Sequence, residues 1–82
     1  MPTVFRFDGL RVVIYPNDHR PSHVHVIGRD TEAVFLLQCP DGPAVLRENY
    51  RFNAAALERM AAALNDQMES LCDRWKAIHG DF

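Results

Sequence analysis

The stretch that decides the fold is NAAALERMAAALNDQMESLCDRWKAIHG, residues 53–80. Leu57, Met60, Ala61, Leu64, Met68, Leu71, Cys72, Trp75 and Ile78 recur at spacings of three and four, with Glu58, Asp66, Glu69, Asp73 and Lys76 between them. That period places the apolar residues on one stripe of an amphipathic helix. Asn53 is a good N-cap, Ala54-Ala55-Ala56 starts a strong helix former, and Gly80 stops it. The spacing predicts one long helix over 53–80. Its polar face is acidic rather than basic, so the stripe is read as the lid of this chain's own core and not as a membrane-surface helix.

Ahead of Asn53 the pattern is that of strands. Thr3 to Phe7 is β-branched and aromatic, and Asp8-Gly9 follows as a two-residue hairpin signal. Leu10 to Tyr15 reads as a second strand. Pro16-Asn17-Asp18-His19-Arg20-Pro21 is a turn-rich loop bounded by prolines. A third strand runs from near His23 to Gly28. Glu32 to Gln38 contains the continuous apolar run Ala-Val-Phe-Leu-Leu, which suggests a strand covered on both faces. Pro40-Asp41-Gly42-Pro43 breaks it, and Ala44 to Tyr50 reads as a short edge strand. The expected fold is therefore α+β: an antiparallel meander of three to five strands with one C-terminal helix packed on one face. The 82 residues allow a single domain, 1–82, with a strand-rich half at 1–52 and the helix at 53–80. If residues 32–38 are apolar on both sides, a second copy of the chain is the economical cover, so a homodimer is expected.

Composition excludes some classes. Apolar residues make up 48% of the chain, too many for a disordered one. A net charge of −2 and a pI near 6.0 leave no general electrostatic footprint for nucleic acid. The first 52 residues carry their positive charge only as arginine (Arg6, Arg11, Arg20, Arg29, Arg47, Arg51). Such forks can still hold a phosphate or carboxylate locally, although scattered solvated charges are the plainer reading. No apolar stretch approaches a membrane span and no leader-like segment opens the sequence, so no membrane association and a cytoplasmic location are expected. Cys39 and Cys72 lack CxxC spacing and read as small buried hydrophobes rather than as a disulfide.

The chemistry concentrates in Asp18-His19-Arg20-Pro21-Ser22-His23-Val24-His25-Val26, which holds three of the chain's four histidines. His23 and His25 are two apart on a strand and so share a face. His19 sits in the loop leading into that strand. His79, at the helix end, suits capping better than a site. Two imidazoles on one face can share a divalent transition metal, with His19, Asp18 or Glu32 completing the set. The same pair can instead act as general acid and base, with His19 and Arg20 assisting, in a metal-free ribonuclease-type cleavage of RNA. A third reading leaves the histidines as a plain interaction surface.

The block Asp18-His19-Arg20-Pro21-Ser22-His23-Val24-His25-Val26 resembles a DHxPPHxHV signature. With Met1-Pro2-Thr3, Arg11-Val12-Val13-Ile14-Tyr15, Glu32-Ala33-Val34 and the late Trp75, the chain is similar over nearly its whole length to a family of small prokaryotic proteins known as a domain of unknown function. Ser22 stands where the second proline of the signature often does. Carried over by position, the resemblance picks out Asp18, His19, Pro21, His23 and His25, and more loosely Glu32 and Trp75. It also implies a neighbouring gene for another small protein, in a toxin–antitoxin-like arrangement. On that basis the leading expectation is a member of such a two-gene module, acting through its histidine face on RNA or on a partner protein.

Overall fold

The computed structural model describes residues 3–82; Met1 and Pro2, with which the expected domain begins, lie outside the described residues. Five strands form one antiparallel sheet in sequence order: β1 (Thr3–Phe7), β2 (Leu10–Val13), β3 (His23–Gly28), β4 (Thr31–Leu36) and β5 (Val45–Tyr50). The fold is α+β. Asp8 and Gly9 turn β1 into β2, both with positive φ (49° and 76°), as a tight hairpin requires. The β3–β4 hairpin is as tight: Gly28 pairs with Thr31, and Asp30 takes the left-handed conformation.

The helical segment departs from the expected single helix. It is two helices, α1 (Ala54–Asp66) and α2 (Met68–His79), interrupted at Gln67. Residues 65–67 are Asn-Asp-Gln, and the first two are poor helix formers because their side chains compete for backbone partners. Asn65 does so here: its side chain accepts from the Ala44 backbone N–H at 2.8 Å. Gln67 then closes α1, its N–H bonded back to Leu64 and Asn65, while its own carbonyl receives Leu71 N–H of α2. Asn53 is the N-cap of α1, accepting from Ala56 N–H at 2.8 Å, and Gly80 in the left-handed conformation ends α2.

Both helices cover one face of the sheet. Val12, Ile14, Val24, Val26, Ala33, Phe35 and Leu37 form a single buried cluster with Met60, Leu64, Leu71, Cys72 and Trp75 of the helices. Strand alternation sends His25 and Ile27 of β3, and Glu32, Val34 and Leu36 of β4, to the other face, while the His23 ring, at the very start of β3, also reaches Trp75 of α2. Val34 on that face is only 7% exposed within one chain. The apolar run of β4 is therefore buried largely without a second copy. No helix among the described residues is long and apolar enough to cross a membrane.

The cysteines also depart from expectation. Cys39, in the loop after β4, and Cys72, in α2, form a disulfide across a sequence separation of 33. Cys72 is 2% exposed and Cys39 only partly buried, so the expected burial holds for Cys72 alone, and the expected free thiols do not hold. Spacing alone does not reveal this pairing, because it is made by the packing of α2 against the end of β4.

Candidate metal centre

The centre is built by β3 and the loop that leads into it. Tyr15 to Asp18 form a turn closed from both sides. The Asp18 N–H donates to the Tyr15 carbonyl, and the Asp18 carboxylate accepts from Tyr15 N–H, each at 3.0 Å. This fixes the Asp18 side chain over the start of β3, with 14% of it exposed. The aspartate thus caps its turn and still presents carboxylate oxygen to the histidines.

Each histidine is oriented by its Nδ1. His23 Nδ1 lies 2.9 Å from the Pro21 carbonyl oxygen, which can only accept, so Nδ1 carries the hydrogen. His25 Nδ1 donates to the Glu32 carboxylate at 3.0 Å. The register explains the second contact. His25 pairs with Val34, and Glu32 lies two residues along on the same face, at the diagonal cross-strand position. With Nδ1 protonated, a neutral imidazole carries its lone pair on Nε2. Both Nε2 atoms turn toward Asp18: His23 Nε2 is 3.5 Å and His25 Nε2 3.3 Å from Oδ2.

One ligand atom from each of Asp18, His23 and His25 lies within 4.8 Å of the others. Two lone pairs and a carboxylate facing one another repel unless a cation sits among them. His25 Nε2 also lies 3.4 Å from Asp18 Oδ1, so each separation is that of a long hydrogen bond. A charge-assisted N–H···O bond closes to about 2.7–2.9 Å. Ligands at ~2.0–2.2 Å from one ion stand about 3.0 Å apart at a right angle and about 3.4 Å apart at the tetrahedral angle. The two histidine-to-Asp18 separations, 3.3 and 3.5 Å, lie near the second value, while the three ligand atoms together span up to 4.8 Å. The backing of His25 by a carboxylate and of His23 by a carbonyl is the support that metal-bound histidines ordinarily have.

The other sequence candidates fall around this group. Glu32 is behind His25 rather than among the converging atoms, with 47% of its side chain exposed. His19 is exposed and lines a cleft beside the centre, together with Arg20. Arg20 forms an exposed ion pair with Asp81, just past α2. His79 stacks on Trp75, with ring centroids 3.9 Å apart, and takes no part in the centre. Two further rings flank the centre: Trp75, which the resemblance picks out loosely, and Tyr15, which was not singled out as a site residue. Trp75 lies 5.2 Å from the His23 ring, and Tyr15 lies edge-on to His25 at 4.9 Å. Both pack beside the imidazoles and restrict their rotation.

A family model described as a domain of unknown function, DUF4160, matches residues 9–76. The chain belongs to the DUF4160 family. The match takes in Asp18, His23, His25, Glu32 and Trp75, and so every group that forms or backs the centre. No curated protein and no solved structure matches this DUF4160 chain.

Proposed function

We propose that the chain is a metal-binding protein. Asp18, His23 and His25 hold one divalent first-row transition ion through a carboxylate oxygen and two Nε2 atoms. The observation that supports this most is the convergence of the two Nε2 lone pairs on one carboxylate at metal-ligand spacing. Two imidazoles and a carboxylate suit zinc or ferrous iron. Three protein ligands leave positions open, so a bound ion can polarise a ligand or activate water.

The metal-free acid–base reading of the same histidines has less support. All four ring nitrogens of His23 and His25 face groups of the chain itself. None is left for a substrate proton while Asp18 stays in place. Within the toxin–antitoxin-like setting that the resemblance implies, our reading makes this chain the member that carries the metal.

The test is a thermal shift. A ligand bound only to the native state at 100 times its Kd adds about 2.7 kcal/mol of stability. For a domain of this size that is on the order of 10–20 °C in Tm. Zinc added to metal-free protein is expected to give such a shift, and the His23→Ala, His25→Ala double variant is expected to give none. An equal shift in parent and variant would refute the assignment.

A further inference from the structure

The geometry points to a second half of this site: the cleft beside the metal centre binds the phosphate of a small phosphomonoester. The inference rests on the metal reading above and names the ligand class that completes it.

The cleft has a volume of about 510 Å³, and Asp18 and His23 both line it. This is within the range of small-molecule sites, about 300–1,000 Å³. Two of the three proposed metal ligands form its wall, so a ligand in the cleft would lie beside an ion held there. Two guanidinium groups share that wall. Arg20 comes from the β2–β3 loop, and Arg47 comes from the edge strand β5. Asp18 is the one carboxylate among the lining residues, and its charge is matched by the metal. With two neutral imidazoles and one carboxylate as ligands, a divalent ion keeps one net positive charge, which the Glu32 carboxylate behind His25, outside the cleft wall, offsets in part. The cleft then presents three cationic groups and no unmatched anion.

Among the described residues Arg47 has no close partner, and Arg20 is held only in an exposed ion pair with Asp81. The nearest acid to Arg47 is its chain neighbour Glu48, at 3.7 Å, with both side chains about half exposed or more. The Arg20–Asp81 pair is more than 60% exposed on both sides. Exposed pairs of this kind contribute little and yield to a better anion. Three cations around one cavity match the three terminal oxygens of a phosphomonoester. A carboxylate has only two oxygens, and the guanidinium fork pairs bidentately with phosphate. Pro21 and Leu36 supply an apolar part of the wall, so the ester carries an apolar group rather than being free phosphate.

The experiment titrates phenyl phosphate, inorganic phosphate and benzoate into the full chain loaded with zinc, at fixed ionic strength. Metal content is measured on the same samples. Phenyl phosphate is expected to bind at least tenfold more tightly than benzoate, and more tightly than inorganic phosphate. Arg47→Ala is expected to weaken phenyl phosphate by about tenfold or more with metal content unchanged, as loss of a charge-assisted pair implies. Arg29→Ala, in the turn at the far end of β3, is expected to leave binding as in the parent. Equal binding of phenyl phosphate and benzoate would overturn the inference, as would an Arg47→Ala variant that binds like the parent. With zinc retained, either result refutes the anion site alone. A chain that takes up no zinc, or loses it to phosphate, removes the metal reading and this inference with it.

Discussion

Trp75→Ala is expected to destabilise the chain by about 3–5 kcal/mol, the largest loss of any single core substitution considered. Trp75 is fully buried, between His23 on one side and His79 on the other. Removing a buried indole costs about 3–5 kcal/mol in lost burial and residual cavity. A domain of 82 residues has roughly 4–12 kcal/mol in total. The loss therefore takes about a quarter to two-fifths of the stability at the upper end, and most or all of it at the lower end. Trp75→Phe separates packing from hydrogen bonding. The indole Nε1 has no partner, so the phenyl ring forfeits no hydrogen bond. It is expected to cost about 1–2 kcal/mol. Urea denaturation of the three proteins gives both differences. A Trp75→Ala midpoint equal to that of the parent would mean that the core does not depend on this residue.

The second large effect separates a ligand from its support. Glu32→Ala is expected to weaken metal binding about 10–100-fold, the usual cost of losing an outer partner of a metal-bound histidine. Asp18→Ala is expected to weaken it by more than that, because a coordinating oxygen and its charge are lost. Asp18 also accepts from Tyr15 N–H, so alanine there disturbs the loop. Asp18→Asn is the companion variant: its amide oxygen keeps the turn while the anionic ligand is gone. Zinc competition against a chromophoric chelator ranks the variants. If Glu32→Ala proves more damaging than Asp18→Asn, the ion sits between His25 and Glu32 and our ligand set is wrong.

Much of this architecture is legible in the residues. Asp8-Gly9 sets the first hairpin, His23 to Gly28 alternates as β3 does, and Asn53 and Gly80 mark the ends of the helical segment. These are local signals, in which side-chain chemistry and backbone geometry lie within a few residues of each other. The break at Gln67 is not local. It depends on Asn65 finding the Ala44 backbone, a partner 21 residues away, and the apolar spacing of three and four runs through it undisturbed. The Cys39–Cys72 bond is long-range for the same reason.

The site divides in the same way. That His23 and His25 share a face follows from strand alternation alone. Asp18 could be named beside them because it is five residues from His23 in the chain. The role of Glu32 needs the β3–β4 register. Once the turn is fixed by Gly28 pairing with Thr31, Glu32 falls diagonal to His25 rather than opposite it. Arg47 could not be found this way. It reaches the cleft only because β5 adds to the sheet beside β4, and in the sequence it is one of several scattered arginines.

We propose that Asp18, His23 and His25 hold one ion between them. Elemental analysis of untagged protein, purified without chelator, tests it most directly, with the His23→Ala, His25→Ala variant alongside. About one transition-metal ion per chain is expected in the parent and none in the variant. No metal in the parent, even after incubation with zinc or ferrous iron, would contradict it, as would the same metal content in both proteins.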